Sequence, residues 1–358
     1  MEEKKYRICI VGLDHTHANL LYNIFESEMK DRIEWVGYAH VVKPDDVMSE
    51  FNSSYFPELL KNVMYYDNYI EMLDQKPDIA IVCCGINKHA EVCVETLKRD
   101  IHTIVEKPMA MNLKQAVKMY KAAKKSKAEL VINWPVAWFP TFNKAKELAD
   151  VGKAGKILRV IYRTPSTWGP FAPGTYTKEQ MKHHWWYNGK IGGGSIMDYA
   201  GYSCVLCTYF IDEFLPKKVS GFKKNFIYKD FDIEDYSVFT AEYENAIGQI
   251  EGSWSTVCSG DIPTGPVIYG TEGTIVCDRY SNVVKVFRKE NNVALEPEIF
   301  TLNDTEKDIP LAFIEHLEKK VPLHEMVTLD FNIRAMAVLD GCVRSAKKGM
   351  TVKIKKTW

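Results

Sequence analysis

The sequence has no excess of charge of one sign and no long hydrophobic run. Its 358 residues carry 46 Lys and Arg against 47 Asp and Glu, which gives a formal net charge of −1. Nucleic-acid-binding chains usually show a basic excess, so we expect no nucleic-acid partner. No apolar stretch approaches the roughly 18 residues that span a bilayer, and the first residues lack the apolar core of a signal peptide. We therefore expect a cytoplasmic protein without membrane contact.

A disulfide framework is also missing. The nine cysteines are odd in number and scattered, mostly inside apolar runs. In a chain of this length that pattern indicates free thiols in a reducing compartment. Cys204 and Cys207 form the only C-x-x-C. Its apolar flanks predict a buried helix, with a redox or metal role as the alternative.

The pattern of apolar segments divides the chain into two parts. Up to about residue 135, short apolar runs alternate with amphipathic stretches, which predicts a doubly wound parallel sheet with helices on both faces. Farther on, successive strands joined by short turns predict a mostly antiparallel sheet, closed by two helices at Ile309–Lys320 and Asp330–Lys348. The fold class is therefore α/β followed by α+β, with a nucleotide-binding domain at 1–135 and a substrate and oligomerisation domain at 136–358. The five predicted parallel strands are Arg7–Gly12, Ile33–Ala39, Asp78–Cys84, His102–Val105 and Glu129–Asn133.

The turn after the first strand reads G-L-D-H-T-H, where a dinucleotide fold has G-x-G-x-x-G. Only Gly12 fits, and Asp14 and His17 take the other two glycine positions. Because the turn follows a strand and opens a helix, we assign Gly12, Asp14, His15, Thr16 and His17 to cofactor binding. The alternative is that Asp14 or Thr16 merely caps the helix. We expect no metal here, since no carboxylate or cysteine accompanies the histidines at a suitable spacing.

The end of the second predicted strand carries His40 instead of the usual acid for the adenosine ribose. We assign His40 to the cofactor site on position alone. Lys43, three residues on, could meet a 2′-phosphate or be a solvated loop charge. The expected cofactor is therefore NAD, with NADP left open.

Two motifs indicate a particular family as well as a fold. V-E-K-P-M-A at Val105–Ala110 and G-G-G-S-I-M-D-Y-A-G-Y at Gly192–Tyr202 resemble signatures of the glucose-fructose oxidoreductase, inositol dehydrogenase and rhizopine catabolism (Gfo/Idh/MocA) family. The resemblance implies a Rossmann domain followed by an open-sheet domain, a bound NAD or NADP, and oxidation or reduction of a ring secondary alcohol. It also implies a homodimer or homotetramer through the C-terminal sheet. Tyr202 stands where the family usually has a histidine. Some branches of the family, such as the dihydrodiol dehydrogenases, also have a tyrosine at this position.

The resemblance adds residues to the cofactor site. The loop after the third predicted strand and the E-K-P motif imply contacts to the dinucleotide, and the Lys107–Pro108 bond is implied to be cis. The cofactor residues added in this way are Cys84, Gly85, Asn87, His89, Glu106 and Lys107.

Lys107, Asp198 and Tyr202 are the candidate catalytic residues. Lys107 follows a strand at the sheet edge where such folds bind ligands, and burial beside an oxidised nicotinamide would lower its pKa. Asp198 and Tyr202 are four apart, so on a helix they share one face. Tyr202 is the acid/base candidate, with Lys107 as the cation that lowers its pKa. The alternative is a capping Asp198 and a core tyrosine.

Aromatic residues near the glycine motif suggest sugar contacts. We assign Trp168, His184 and Trp185, with Asp198 and Tyr202, to substrate binding, although loop packing explains the aromatics equally well. The predicted function is hydride transfer between nicotinamide and a ring hydroxyl of a sugar, cyclitol or glycoside, possibly at C3. The alternatives are an NAD-assisted glycosidase and a cofactor-binding sensor without turnover.

Overall fold

The computed structural model describes residues 5–163, 175–256, 263–279, 281–290, 293–302 and 308–358. Trp168 lies outside these residues, so its predicted role is not developed further. Among the described cysteines, eight are free and buried, which confirms the expectation of free thiols for them. The helices of the described ranges include none that combines the length and apolar character needed to cross a membrane.

The first part of the chain forms a six-stranded sheet in which all strands are parallel, in the order β3-β2-β1-β4-β5-β6. The five predicted strands are confirmed, and the short β3 was missed. The strands are β1 (Tyr6–Val11), β2 (Ile33–Ala39), β3 (Tyr65–Tyr66), β4 (Ile79–Val82), β5 (His102–Glu106) and β6 (Leu130–Asn133). The helices are α1 (His17–Met29), α2 (Asp46–Tyr55), α3 (Pro57–Asn62), α4 (Tyr69–Asp74), α5 (His89–Lys98) and α6 (Leu113–Ala123).

The second part forms a larger mixed sheet, ordered β14-β13-β12-β11-β7-β10-β9-β8-β16, with β15 paired to β13. Neighbours are antiparallel except β7 and β10, which run parallel, so the predicted mostly antiparallel sheet is confirmed. Its strands are β7 (Ile157–Arg163), β8 (Lys218–Lys224), β9 (Tyr236–Glu242), β10 (Ile247–Ser253), β11 (Val267–Gly270), β12 (Gly273–Cys277), β13 (Val283–Glu290), β14 (Val293–Ala294), β15 (Glu298–Thr301) and β16 (Val352–Lys353). The helices are α7 (Pro140–Asp150), α8 (Lys178–His183), α9 (Gly201–Phe210), α10 (Ile309–Lys319) and α11 (Leu329–Lys348).

Helices α9 and α11 cover one face of the second sheet, and in the described part of the chain the other face exposes its side chains. Strand β9 alternates buried and exposed side chains, as a sheet with one covered face requires. The helix α9 carries the C-x-x-C, and both thiols are buried in the core, which confirms the predicted buried helix.

Helix α11 also reaches the first sheet, since it packs on α6 and β6 as well as on α9 and β8. Asn332 of α11 accepts a hydrogen bond of 2.6 Å from the indole nitrogen of Trp134. Asp340 accepts one of 3.2 Å from the backbone nitrogen of Leu113. The last helix thus ties the two sheets together across the seam that holds the candidate site.

Candidate active site

Lys107 and Asp198 form a buried ion pair between the two sheets. Lys107 follows β5, and its peptide bond to Pro108 is cis, as the resemblance implied. Its Nζ lies 2.5 Å from Asp198 Oδ1, and the two side chains are only 4% and 3% exposed. The other carboxylate oxygen of Asp198 accepts a hydrogen bond of 3.1 Å from Trp254 Nε1. Both oxygens of this buried carboxylate are therefore held by donors from different elements.

A glycine-rich turn brings Asp198 to this position. Gly194 has φ of +104°, which L side chains rarely adopt, and a Cβ there would lie 2.3 Å from a carboxylate oxygen of Glu234, so a larger residue would be strained. One π-helical turn, Ile196–Ala200, then carries Asp198 and leads directly into α9. Tyr202 follows on α9, and Lys107 Nζ lies 4.6 Å from the centre of its ring. The predicted catalytic residues thus meet, and the roles assigned to them stay predictions.

The protein groups shift the pKa of both Lys107 and Tyr202 upward, and the expectation for Lys107 beside an oxidised nicotinamide stays a prediction. Burial lowers the pKa of Lys107, but the charge of Asp198 and its hydrogen bond raise it more, so the net shift is upward. Burial raises the pKa of the Tyr202 phenol, and the opposing charge of Lys107 does not cancel this. The ammonium and the neutral phenol are therefore the resting forms, because Asp198 takes up the positive charge of Lys107.

The turn at the end of β1 has a glycine at position 12 because a side chain there would collide with the neighbouring backbone. Gly12 has φ of +88°, and a Cβ there would lie 2.5 Å from the backbone of Cys84 on the neighbouring strand end. Asp14 does not cap α1, because its carboxylate accepts a 2.9 Å hydrogen bond from the backbone nitrogen of Gly85. Thr16 stands at the N-cap without a side-chain bond, so the capping alternative is wrong for both residues. The buried carboxyl group of Asp14 has its pKa raised to about 6 by desolvation.

His15, His17 and Glu106 converge beside this turn; we call them the His–His–Glu cluster. Their nearest ligand atoms all lie within 4.8 Å of one another. The expectation that no carboxylate accompanies the histidines is wrong, because Glu106 arrives from β5, 89 residues along the chain from His17. His17 Nδ1 lies 3.1 Å from Glu106 Oε2, and His15 Nε2 lies 3.7 Å from the same oxygen.

Glu106 is anionic although it is 1% exposed. Burial raises its pKa, but His17 and His15 lower it more, so the net shift is downward. Asn133 Nδ2 donates a 2.5 Å hydrogen bond to Glu106 Oε1. The ring of His15 is buried and its pKa lies well below the usual value, because burial disfavours the charged form.

His184 and Trp185 lie against the nucleotide turn. Trp185 Nε1 donates a 2.8 Å hydrogen bond to the backbone oxygen of Asp14. The neighbouring Trp186 contacts the ring of His15 edge-on, at 4.8 Å between ring centres. His184 is buried, and its Nδ1 accepts a 3.2 Å hydrogen bond from the Trp186 backbone. The predicted substrate contacts of His184 and Trp185 stay predictions.

The loop after β4 contains Cys84, Gly85, Asn87 and His89, whose predicted cofactor contacts stay predictions apart from that of His89. Both ring nitrogens of His89 face backbone oxygens, at 3.2 Å from Pro108 and 3.0 Å from Cys84. His89 therefore ties this loop to the cis-proline turn, with no ring nitrogen left for a dinucleotide. The backbone oxygen of Asn87 accepts a 3.4 Å hydrogen bond from the side-chain amide of Gln115.

Sequence reasoning missed two residues of the site, Asn133 and Trp254. Asn133 had a usable signal, because it ends β6 directly opposite Glu106 in the parallel register. Carboxyl ends of adjacent parallel strands meet at one edge, so an amide there is within reach of the carboxylate. Trp254 follows β10 and has no local signal; only the fold shows that its indole reaches Asp198.

The chain matches two models of one family. Residues 7–134 match the model described as "Oxidoreductase family, NAD-binding Rossmann fold", and residues 142–276 match the "GFO/IDH/MocA C-terminal domain". The chain belongs to the Gfo/Idh/MocA family. This family assignment confirms the resemblance found in the two motifs. It also confirms that the chain is an NAD-binding oxidoreductase.

Several curated and solved relatives are similar along much of the chain. Myo-inositol 2-dehydrogenase of Thermotoga maritima is 23% identical over 81% of this chain and 82% of its own length. A trans-1,2-dihydrobenzene-1,2-diol dehydrogenase of Xenopus laevis is 25% identical over 59% of this chain and 58% of its own. The aldose-aldose oxidoreductase structure from Caulobacter crescentus, complexed with glycerol, is 20% identical, with a TM-score of 0.73 over 98% of this chain and all of that chain. The solved structure shows a shared fold.

The residues of the Gfo/Idh/MocA turn fit a dinucleotide. Within the described residues, His15 Nε2 and His40 Nδ1 are buried and have no hydrogen-bond partner. They lie at the carboxyl ends of β1 and β2, where doubly wound folds hold the pyrophosphate and the adenosine ribose. Burial lowers the pKa of His40 to about 4, so its ring is neutral near pH 7. Buried unpaired nitrogens of this kind are satisfied when a polar ligand binds.

Proposed function

We propose that this protein transfers a hydride between a nicotinamide and a ring secondary hydroxyl of a sugar, cyclitol or glycoside. The observation that carries the proposal is the buried Lys107–Asp198 pair at the carboxyl end of β5, where this fold binds ligands. Relatives named for inositol and for dihydrodiols support the substrate class, since both are cyclic secondary alcohols. Oxidation at C3 of a glycoside is the specific case we favour.

The nicotinamide supplies the hydride acceptor or donor, and the protein supplies the proton and the orientation. Lys107, held as an ammonium by Asp198, donates a hydrogen bond to the reacting oxygen. In the reducing direction it gives one proton to that oxygen as the hydride reaches the carbon. In the oxidising direction Lys107 first releases a proton to water. Its neutral amine then takes the hydroxyl proton as the hydride leaves the carbon, and Asp198 stabilises the ammonium that forms.

Tyr202 and Asp198 complete this arrangement. The Tyr202 ring lies under the ammonium, which adds a cation–π contact to the ion pair. Because burial keeps the phenol protonated, we assign Tyr202 a hydrogen bond to the substrate oxygen and leave the proton itself to Lys107. Asp198 has one oxygen bound by Trp254 and the other by Lys107, so its main effect on substrate goes through the ammonium.

The turn residues favour NAD over NADP. The neutral ring of His40 offers a hydrogen bond but no charge at the end of β2, whereas a 2′-phosphate is bound best by cations. His15, with its free ring nitrogen, would contact the dinucleotide from the end of β1. The His184–Trp186 segment would cover it from the second sheet.

The open face of the second sheet suits a homodimer or homotetramer. Its strands expose large apolar side chains that a monomer leaves in water, with exposed fractions of 71% for Phe222 and 59% for Ile299. Patches of this kind mark interfaces. Phe287 and Ile247, from strands between these two, extend the same apolar surface.

The experiment compares wild type with Lys107→Met on a panel of cyclitols and glycosides, following the absorbance of reduced nicotinamide. Loss of proton transfer predicts a fall in turnover of about 10²–10⁴-fold, with NADH affinity retained. Lys118→Met, on the exposed surface of α6, is the matched control and should keep full turnover. Unchanged turnover in Lys107→Met would exclude the mechanism.

The same assay separates two other functions. Release of an aglycone without accumulation of reduced nicotinamide would identify a glycosidase that oxidises and then restores its substrate. Tight nucleotide binding without turnover on any alcohol would identify a sensor. The buried ion pair argues against the sensor, because a protein that only binds gains little from keeping two charges out of water.

A further inference from the structure

The nucleotide turn has histidines at positions 15 and 17, and both histidines lie against the same carboxylate, Glu106. His17 replaces the third glycine, and His15 stands between the second and third glycine positions. A ring nitrogen of each histidine faces Glu106, and the three ligand atoms lie within 4.8 Å of one another. A glycine loop needs none of these rings to approach a pyrophosphate, so their convergence on one carboxylate calls for a separate explanation.

Two carboxylates, Asp198 and Glu106, are buried in this pocket. Lys107 is paired with Asp198 at 2.5 Å, so its ammonium is already matched by one carboxylate. Glu106 is a second carboxylate, 1% exposed, and the groups facing it are two imidazoles and the amide of Asn133. Burying a charge is costly unless it is paired or coordinates a cation.

We propose that the His–His–Glu cluster binds a divalent transition-metal ion through His15 Nε2, His17 Nδ1 and a carboxylate oxygen of Glu106. Ligand atoms bound at about 2.0–2.2 Å to one ion lie roughly 3–3.5 Å apart. The separations of 3.1 Å and 3.7 Å to Glu106 Oε2 already approach this arrangement. His15 Nε2 is buried and has no partner among the described residues, so it is available to the ion, and the dinucleotide contact proposed for His15 would then be made through that ion.

The donor set indicates the kind of ion. Two imidazoles and one carboxylate suit zinc, cobalt, iron or manganese, whereas calcium and magnesium prefer oxygen ligands throughout. Three protein ligands leave coordination positions open for an oxygen of a bound ligand. The Asn133 bond to Glu106 Oε1 fixes the carboxylate in the way that outer partners orient metal ligands, leaving Oε2 toward the rings.

One hydrogen bond opposes binding and has to be broken. His15 Nδ1 accepts a 3.1 Å hydrogen bond from the His17 backbone, so in the metal-free protein the ring proton is on Nε2. Binding through Nε2 moves that proton to Nδ1 and breaks this bond. The loss of one backbone hydrogen bond is small beside the formation of three metal–ligand bonds.

The test uses the full chain after treatment with a chelator. Cobalt(II) is titrated in while the visible d–d absorbance is followed, and zinc(II) binding is measured by calorimetry. We expect one equivalent of either ion per chain. His15→Asn combined with His17→Asn should lose at least 90% of the cobalt absorbance. His17→Gln alone, at a partly exposed position, should weaken binding at least tenfold.

The matched control is His324→Asn. His324 is also partly buried, and its Nδ1 also accepts a backbone hydrogen bond from the residue two positions on, at 3.2 Å. It lies outside the cluster, so this variant should still bind one equivalent. Circular dichroism confirms that each variant is folded. Absence of stoichiometric binding to the wild type, or an unchanged cobalt spectrum in folded His17→Gln, would overturn the proposal whatever the enzyme's activity proves to be.

Discussion

Replacing Asp198 by Asn removes one charge of the buried pair while keeping the size of the side chain. The amide oxygen can still accept the hydrogen bond of Trp254, but the Lys107 ammonium loses its counter-charge. Breaking a buried pair from one side costs about 3–5 kcal/mol of folding free energy. Because the Trp254 bond is kept, we expect the lower end, a loss of about 3 kcal/mol at pH 7.

The sign of the pH dependence tests the cause of this loss. In the wild type the pKa of Lys107 is raised in the folded state, so the pair's contribution is complete below about pH 10.5 and is lost at higher pH. In Asp198→Asn the charge and the hydrogen bond of Asp198 are gone. We expect burial to outweigh the opposing effects of Tyr202 and Glu106 and to lower the folded pKa of Lys107 below the unfolded one. The stability of the variant should therefore rise as the pH increases toward about 10.5, where the wild type is flat.

Urea unfolding of wild type and variant from pH 7 to 10 measures both effects. The double variant Asp198→Asn, Lys107→Met removes both charges and should recover most of the lost stability, without the pH slope. Equal stability of Asp198→Asn and wild type at pH 7, or a variant with no pH slope, would show that the pair does not control the charge of Lys107.

Two further changes test the roles assigned to single side chains. Tyr202→Phe removes one hydrogen bond to substrate and should lower turnover by up to about tenfold; a loss of 10²-fold or more, typical of a general acid or base, would return the proton to Tyr202. His324 is partly buried, and this burial lowers its pKa to about 4. Its contribution to stability is therefore complete above about pH 6.5 and is lost as the pH falls toward 4. His324→Asn should therefore flatten the acid side of the stability curve by up to about 3 kcal/mol, and identical acid unfolding profiles would contradict this.

Most of the fold could be predicted from the sequence because periodicity reports burial. Strands β4 and β6 are buried on both faces and appear as continuous apolar runs. The two-residue β3 was missed because Tyr65 and Tyr66 are exposed or half-buried and too few to show a period. Short edge strands of this kind are set by their neighbours rather than by their own residues.

The candidate site could be predicted in its members but not in its electrostatics. The motifs named Lys107 and Asp198 separately, and only the fold places them 2.5 Å apart and raises the lysine pKa that burial alone would lower. Glu106 likewise stood in a motif, while its approach to His15 and His17 depends on the order of β1, β4 and β5 in the sheet. The spacing of residues along the chain does not show which side chains about 90 positions apart come into contact.

The bridge from Trp134 to Asn332 has a consequence for synthesis of the protein on the ribosome. The two residues are 198 positions apart, which at about 5–20 residues per second corresponds to a delay of roughly 10–40 s. During that interval the first sheet exists without the helix that later packs on it, so part of its apolar surface is open to chaperones. The nascent nucleotide half would therefore wait, partly uncovered, until translation has delivered the far end of the second half.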